Sequence, residues 1–172
     1  MERKDIVLNW LKEHNIDYRI YEHPPLPTIE MAQEYWKDID AQHCKNLFFR
    51  NHKGNRHYLV VFDWNKQLPI HTLEKALKQG KLSFASEERM DKWLGLKPGS
   101  VSPFGLINDT ENHVYLFLDR DLQKAKHITF HPNDNRYTVE LTQEGFQKYL
   151  SLIGNSYSFI DLDIPDTSGV EK

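Results

Sequence analysis

The chain has 172 residues, the usual size of one domain. Its composition, 39% hydrophobic and 27% charged, is that of a globular protein and excludes a disordered or a collagen-like chain. No apolar run approaches the 18 residues of a membrane-spanning helix, no signal-peptide core follows Met1, and Cys44 is the single cysteine. These features predict a soluble, cytoplasmic, single-domain protein without disulfides.

The distribution of charge is uneven along the chain. The formal net charge of −3 argues against a protein that binds nucleic acid through bulk positive charge. Residues 41–105 nevertheless contain 11 basic and 5 acidic side chains, a local net charge of +6, and the remainder carries −9. This basic middle segment could contact a few RNA phosphates, or it could simply form solvated helix faces.

The spacing of apolar residues predicts alternating helices and strands. In chain order they are a helix over 3–14, a strand over 18–22, a helix over 28–37, strands over 44–50 and 57–63, a helix over 69–80, a strand over 82–85, a helix over 87–94, strands over 114–118, 126–131 and 137–141, and a helix over 142–153. Thr28 and Thr142 are the expected N-caps, and Gly80 and Gly95 the expected helix ends. Residues 96–105, rich in Gly, Pro and Ser, are predicted as a loop.

This order of elements predicts the fold class. Hairpins around 51–55 and 132–135, with helices between other strands, favour an α/β (α+β) fold with a mixed, mostly antiparallel sheet flanked by helices. A doubly wound parallel sheet fits this order less well. Residues 1–154 are predicted to form the domain. Residues 155–172, acidic and without a periodic pattern, are predicted to form a peripheral tail.

Lys45 is the first candidate for a functional side chain. Because side chains alternate along a strand, Lys45 shares a face with Leu47 and Phe49. A lysine at the end of an apolar row either extends its ammonium to solvent or lines a pocket. In a pocket, the ammonium would hold a phosphate or a developing oxyanion.

The loop and a histidine after it are the next candidates. Gly99 and Gly105 would allow a ligand to approach the backbone closely, and Pro98 and Pro103 would stiffen the path between them. Exposed N–H groups there could polarise a carbonyl, although an ordinary connection explains the loop equally well. His131, at a strand end before a turn, could reach a cleft or cap the turn.

Cys44 and the remaining histidines give no catalytic pattern. His43 precedes Cys44 directly, but neighbouring strand residues point to opposite faces, so spacing does not predict a nucleophile–base pair. A buried, structural Cys44 is the simpler interpretation. His127 and His131 would lie about 13 Å apart on one strand, too far to share a metal ion. The sequence therefore predicts no metal site and no cofactor.

Four short strings, in this order and at these separations, resemble the aminoacyl-tRNA editing family related to the insertion domain of prolyl-tRNA synthetase. They are Glu22-His23-Pro24-Pro25, Cys44-Lys45-Asn46-Leu47-Phe48-Phe49 with the family's strand lysine, residues 94–105 with its Gly-x-x-x-Pro loop as Gly99 to Pro103, and Phe130-His131-Pro132-Asn133-Asp134-Asn135. The resemblance covers roughly residues 3–153. It is greatest to the free-standing ProX/PrdX-type, YbaK-like members.

The resemblance implies hydrolysis of the ester between a wrong amino acid, alanine, and the terminal adenosine of tRNA(Pro). Lys45, Gly99 and His131 would be the catalytic residues, with Lys45 holding the tRNA end. The substrate would be bound by a second group of residues: Asn46, Ser100, Val101, Ser102 and Pro103. Water activated by the ribose hydroxyl of the substrate would attack, which agrees with the absence of a recognisable nucleophile. The implied partners are the acceptor end of tRNA(Pro) and prolyl-tRNA synthetase, with neither membrane nor DNA.

Three alternatives remain open from the sequence. The substrate could be Cys-tRNA(Pro) or another small aminoacyl-tRNA, because the sequence does not give the pocket volume. The chain could bind tRNA ends or a synthetase without hydrolysis. It could also be a cysteine hydrolase that uses Cys44.

Overall fold

A computed structural model of the chain describes residues 2–25, 29–37 and 39–162. Five α-helices are present in these ranges: α1 (Arg3–Glu13), α2 (Ile29–Trp36), α3 (Ile70–Leu77), α4 (Glu87–Leu94) and α5 (Gln143–Leu152). Eight strands accompany them: β1 (Arg19–Glu22), β2 (Cys44–Arg50), β3 (His57–Asp63), β4 (Ser83–Phe84), β5 (Tyr115–Asp119), β6 (His127–Phe130), β7 (Tyr137–Thr142) and β8 (Tyr157–Ile160). Two 3-10 helices cover Pro103–Asn108 and Arg120–Lys124.

The strands form two sheets. The larger sheet has the order β4-β2-β3-β5-β8, in which β2 pairs antiparallel with β3 and β4, whereas β5 pairs parallel with β3 and β8. The smaller, antiparallel sheet has the order β1-β7-β6. A single bridge between Gln42 and Ile128 links them. The predicted fold class, mixed and mostly antiparallel, is confirmed, but the structure has two sheets where one was expected.

The two faces of the larger sheet bury separate cores. On the face that we call the main-core face, Phe48, Leu59 and Val61 pack against α1, α4, α5 and the smaller sheet. On the opposite face, which we call the α3 face, Phe49 and Phe62 pack against α3. In this antiparallel register, even-numbered residues of β2 share a face with odd-numbered residues of β3.

The expected helix caps agree only in part with the structure. Ser86 caps α4, which ends at Gly95 with φ +65°, and the Thr142 hydroxyl caps α5 by accepting a hydrogen bond from the Gly145 N–H. The third helix ends earlier than expected, because the left-handed conformation occurs at Lys78, with φ +55°, and not first at Gly80. The expected cap Thr28 lies outside the described residues.

The predicted domain boundary at residue 154 is corrected by the last strand. Tyr157–Ile160 forms β8, which pairs in parallel with β5 and closes one edge of the larger sheet. Phe159 packs against the main core, and the Asn155 side chain donates to Asp109 and to the Val114 carbonyl. The described part of the predicted tail therefore belongs to the domain, and residues 163–172 lie outside the described ranges. None of the described helices is long and apolar enough to cross a membrane.

Candidate functional site

A small cavity lies on the main-core face, where the start of β2 meets the end of β6 and the strand β7. Its volume is about 10 Å³, space for about one water molecule. The residues around it combine apolar walls with convergent polar groups: Trp36, Cys44, Asn46, Thr129, Phe130, His131 and Thr138. Strand alternation explains why Cys44 and Asn46 face the cavity together.

His131 contributes a neutral imidazole to this cavity. Its Nδ1 lies 2.7 Å from the carbonyl oxygen of Tyr137 across the hairpin turn, so Nδ1 carries the proton and donates it. Burial lowers the pKa of His131 below its ordinary value of 6.5, and the neighbouring imidazole of His23 lowers it further. At neutral pH the other ring nitrogen, Nε2, is therefore a hydrogen-bond acceptor.

Two further imidazoles hold the threonine hydroxyls of the cavity wall. His23 donates from Nδ1 to the Pro24 carbonyl, so its Nε2 accepts from the Thr138 hydroxyl at 2.8 Å. His43 donates from Nε2 to the Ile39 carbonyl, so its Nδ1 accepts from the Thr129 hydroxyl at 2.6 Å. Because each hydroxyl proton is used in this way, each hydroxyl oxygen is left as an acceptor.

The cavity also contains two buried polar groups without a partner among the described residues. They are the side-chain oxygen Oδ1 of Asn46 and the indole nitrogen Nε1 of Trp36. The Trp36 ring is fixed by stacking on His43, with ring centroids 4.5 Å apart and planes 2° from parallel. An unsatisfied buried polar group costs about 1–3 kcal/mol, so a ligand that pairs with these groups gains affinity.

The loop before the first 3-10 helix is held rigidly beside the same hairpin turn. The buried Tyr149 hydroxyl donates to the Pro103 carbonyl at 2.6 Å, and the Asn133 amide donates to the Phe104 carbonyl at 3.3 Å. The Ser102 side chain is fully buried, and its Oγ accepts from the Phe104 N–H. This serine hydroxyl therefore supports the backbone of the loop.

Backbone N–H groups in this loop differ in their availability. Gly99 has φ +86°, a left-handed conformation that favours glycine, although a Cβ there would meet only Asn135 at an ordinary 3.5 Å. Ser100 donates its N–H to the Lys97 carbonyl in a turn. Across the described ranges, no residue accepts a hydrogen bond from the N–H of Gly99, Val101 or Ser102. Those three donors could stabilise a carbonyl oxygen; the Ser100 donor is already used.

Lys45 lies on the opposite face of β2 from the cavity. It pairs with Phe62 in the register of β2 and β3, and Phe62 belongs to the α3 face. Its Nζ is 3.5 Å from the carbonyl oxygen of Lys66, beyond the end of β3. The predicted sharing of a face with Leu47 and Phe49 is confirmed. The same alternation separates Lys45 from Asn46, so Lys45 can approach a ligand of the cavity only around the end of the strand.

Cys44 contacts the cavity but lacks the properties of a nucleophile. Burial, and the carboxylates of Asp63 and Asp119, raise the pKa of its thiol well above 9. His43 cannot act as its base, because both ring nitrogens of His43 are engaged elsewhere. These observations argue against the cysteine hydrolase alternative.

Comparison with known proteins agrees with this arrangement. The family model for the aminoacyl-tRNA editing domain matches residues 23–149, which include the cavity, the loop and the hairpin turn. This chain belongs to the aminoacyl-tRNA editing domain family. The sequence-based assignment, and with it the general class of editing enzyme, is confirmed.

Individual relatives of this editing domain align along nearly its whole length. The prolyl-tRNA editing protein ProX of Acetoanaerobium sticklandii is 40% identical over 166 residues, covering 94% of this chain and 99% of the relative. A prolyl-tRNA synthetase associated domain-containing protein of Danio rerio is 31% identical over 143 residues, covering 82% and 77%. The crystal structure of a candidate trans-editing enzyme for prolyl-tRNA synthetase matches the fold with a TM-score of 0.72 at 21% identity, covering 94% of this chain and 97% of that one.

The structure of this editing domain brings together some of the predicted site residues. Asn46 and His131 line one cavity, and the loop from Gly99 to Pro103 packs beside the turn that follows His131. Sequence reasoning missed the contributions of Trp36, Thr129 and Thr138. Only Thr129 carried a usable signal, because it shares a strand face with His131; Trp36 and Thr138 reach the cavity through contacts distant in sequence.

Proposed function

We propose that this editing domain acts on mischarged Ala-tRNA(Pro) in the cytoplasm and hydrolyses the ester between alanine and the terminal adenosine. The observation that carries this proposal is the small, polar-lined cavity between His131 and Asn46, with a neighbouring loop whose backbone N–H donors have no acceptor among the described residues. The name of the Acetoanaerobium relative, a prolyl-tRNA editing protein, supports the choice of tRNA. Prolyl-tRNA synthetase is the source of such errors and the candidate partner.

The size of the cavity supports alanine as the amino acid that is removed. A volume of about 10 Å³ suits a methyl group, and the rings of Trp36 and Phe130 limit its expansion. One or two extra methylenes change attraction by only about 1–3 kcal/mol, so rejection of the proline ring requires such a rigid wall. Larger amino acids would clash with the wall before their ester reached the loop.

The backbone of the loop would stabilise the reacting carbonyl. The N–H groups of Gly99, Val101 and Ser102 have no acceptor among the described residues, and Tyr149 fixes the adjoining Pro103. Donors that are held in place before the reaction stabilise an oxyanion without reorganisation, and removal of one such donor costs about 10²–10³ in rate. In this proposal Ser100 contributes through its backbone turn, because its N–H is already used.

Asn46 and His131 would orient the substrate and the water. The unpaired Oδ1 of Asn46 is suited to accept from the α-ammonium of alanine, and Nε2 of His131 is suited to accept from the attacking water. The ribose hydroxyl next to the ester would take part in activating that water, as the family resemblance implies. An aminoacyl ester is intrinsically labile, so positioning and oxyanion stabilisation suffice.

The proposed reaction balances without a protein nucleophile. The water oxygen forms a bond to the carbonyl carbon, and the carbonyl electron pair moves onto the oxygen held by the loop. The bond from that carbon to the ribose oxygen then breaks, and the ribose oxygen takes up the proton lost by the water. The products are free alanine and uncharged tRNA.

Lys45 would act at the rim, with its ammonium on a phosphate near the terminal adenosine. Among the described residues its Nζ makes one long hydrogen bond, to the Lys66 carbonyl, which leaves two N–H donors for such a contact. A hydrogen bond to a charged group contributes about 1.5–3 kcal/mol. We therefore expect Lys45→Ala to lower kcat/KM by about 10- to 100-fold.

The deciding experiment compares deacylation of Ala-tRNA(Pro) and Pro-tRNA(Pro) by the unmodified protein, by Lys45→Ala and by the control Lys126→Ala, which removes an exposed lysine. We expect rapid release of alanine, little release of proline, a large loss in Lys45→Ala and no loss in the control. Equal cleavage of both tRNAs would refute steric selection. Absence of any cleavage, with tRNA still bound, would favour the non-catalytic alternative.

A further inference from the structure

A second open cavity lies at the other end of β2, between the β2–β3 turn and helix α4. Its volume is about 490 Å³, and its walls include Gly54, His57, Arg89, Lys92, Trp93 and His113. His57 pairs with Arg50 across β2 and β3, and by parity both belong to the main-core face. The second cavity therefore lies on the same side of the sheet as the small cavity lined by Asn46 and His131, which we call the editing cavity, and we call the second one the β2-end pocket.

A chain of hydrogen bonds fixes the proton positions in the β2-end pocket. The Arg89 guanidinium, which can only donate, lies 2.9 Å from Nε2 of His57 and 2.8 Å from the Gly54 carbonyl. Nδ1 of His57 must then carry the proton of the neutral ring, and it donates to Nε2 of His113 at 2.8 Å. His113 is left with Nδ1–H, and Arg89 with Nε and Nη2, as donors without a protein acceptor among the described residues.

Trp93 serves to hold this arrangement in place. Its ring stacks on His113 with centroids 3.6 Å apart, and the Lys92 ammonium lies 4.8 Å from its centroid. Because these contacts already occupy the indole, Trp93 is not available to stack on a base. The recognition chemistry of the β2-end pocket is thus that of oriented N–H donors and cations, which suits a phosphate group.

Positive charge exceeds negative charge around the β2-end pocket. Arg50, Arg56, Arg89 and Lys92 all lie near the paired histidines, since each of them lowers the pKa of His57 or His113. In the described part of the chain none of these four cations forms an ion pair with a carboxylate. Glu88 also lines the pocket, and Asp109 and Glu111 act on His113, so the local excess of positive charge is moderate.

We propose that the β2-end pocket binds a backbone phosphate of the tRNA acceptor stem. This inference rests on the proposed function, because it uses the same RNA. Arg50 follows Asn46 by four positions along β2, which corresponds to about 13 Å at the usual rise per residue. A stacked strand with a rise of about 3.4 Å per nucleotide covers that distance in roughly four nucleotides. An RNA with its terminal adenosine at the editing cavity therefore presents a phosphate of the stem to Arg89 and Lys92.

The test removes two exposed cations that lie outside the Arg89–His57–His113 hydrogen-bond chain, of which Lys92 also contacts the Trp93 ring. In the double variant Arg56→Gln/Lys92→Gln, the Arg89–His57–His113 chain remains intact. The matched control, Lys12→Gln/Lys126→Gln, removes the same net charge from exposed positions elsewhere. Binding of two uncharged RNAs is measured by fluorescence anisotropy at several salt concentrations: a tRNA(Pro) acceptor minihelix, and a CCA trinucleotide too short to reach the β2-end pocket.

We expect the Arg56→Gln/Lys92→Gln variant to bind the minihelix about tenfold more weakly, with the slope of log K against log salt reduced by about 1 to 2. The trinucleotide should bind equally to all three proteins, and the control variant should keep its affinity for the minihelix within about twofold. Binding needs no hydrolysis, so this result stands even where deacylation fails.

Three results would overturn the proposal. An unchanged affinity for the minihelix excludes the pocket from RNA binding. An equal loss in the control variant assigns the effect to net charge alone. The third result combines two measurements: inorganic phosphate shifts the His113 ring resonances, while the affinity for the minihelix is unchanged in the variant. The pocket would then be a site for free phosphate and not for RNA.

Discussion

In the proposed function, the chemistry of the editing cavity depends on the protonation of one histidine side chain. His131 offers an acceptor nitrogen only while it is neutral, and burial lowers its pKa below the ordinary 6.5. We expect kcat/KM for alanine release to stay level from pH 8 to about pH 6.5 and to fall at lower pH, as protonation removes the acceptor. The measurement is a pH–rate profile on Ala-tRNA(Pro).

The His131→Asn variant is the control for that profile. Asparagine retains an N–H donor but has no nitrogen acceptor that titrates, so the acidic limb should disappear while kcat/KM falls by about 10²-fold or more. An acidic limb that persists unchanged in His131→Asn would assign the titration to another group.

Cys44 gives a second prediction at the scale of one residue. Its raised thiol pKa excludes it as a nucleophile at neutral pH, so Cys44→Ala should retain kcat for alanine release within about threefold. The loss of one buried atom should cost about 1 kcal/mol of unfolding free energy. Both are measured directly, by single-turnover deacylation and by urea unfolding. A 100-fold loss of rate with an intact fold would restore the cysteine hydrolase alternative.

Among the elements, those with strong local patterns could be predicted from the sequence. β2 and β3 were predicted with the observed bounds, because alternating or continuous apolar residues are bounded by a clear turn around Gly54. β8 was missed because its four residues become a strand only by pairing with β5, about 40 positions earlier. The 3-10 helix from Pro103 was missed because Gly and Pro mark a loop, whereas the Ser102 cap and the Tyr149 contact are tertiary.

The same distinction explains the candidate site. The sequence shows the loop, the strand lysine and His131 as candidate residues. It does not show which face of each strand packs against which sheet, because that depends on tertiary packing. Lys45 shows this, since its alternation was predicted and its separation from the cavity was not. Trp36 lies at the end of α2, and no local sequence pattern predicts that this helix packs beside the cavity.

The contact of α5 with the loop can be tested through Tyr149. Its hydroxyl is buried and donates to the Pro103 carbonyl, so Tyr149→Phe leaves that carbonyl unpaired, at a cost of about 1–3 kcal/mol of unfolding free energy. Loosening of the loop should also lower kcat more than it changes KM. Tyr157→Phe, at an exposed tyrosine of β8, is the control and should change neither quantity. An unaltered kcat in a measurably destabilised Tyr149→Phe would separate this anchor from the reaction.

Truncation tests whether β8 belongs to the domain. A chain that ends at residue 156 loses the edge strand and Phe159, and exposes one side of β5. Phe159 is partly buried, so its loss costs less than the about 3–5 kcal/mol of a fully buried aromatic side chain, and the lost strand pairing adds to that cost. A chain that ends at residue 162 keeps these contacts and should unfold in urea like the full chain. Equal stability of the two truncated chains would support the original boundary at 154.

At the scale of the whole molecule, partly or fully buried histidines connect both cavities to overall stability. Burial lowers the pKa of His43 and His131 near the editing cavity, and of His57 and His113 in the β2-end pocket, with His57 lowered to about 4. The unfolded chain therefore binds more protons than the folded one between about pH 6.5 and pH 4. Stability is present in full above this window and is lost as the pH falls through it.

We expect the unfolding free energy to decrease from pH 7 to pH 4.5, with up to about 3 kcal/mol of the loss coming from His57 alone. The carboxyl pKa values of Asp5, Asp121 and Asp134 are lowered below the ordinary 3.8, so these groups do not contribute to the loss of stability within this pH range. Urea unfolding at several pH values measures the slope of the unfolding free energy against pH, which reports the difference in bound protons between the unfolded and the folded chain. His57→Asn should reduce that difference by about one proton. His52→Asn, at an exposed histidine, is the control and should leave it unchanged. A stability that is constant or that rises on acidification would show that these imidazoles are not buried in the neutral form, and the acceptor roles assigned to their ring nitrogens would have to be withdrawn.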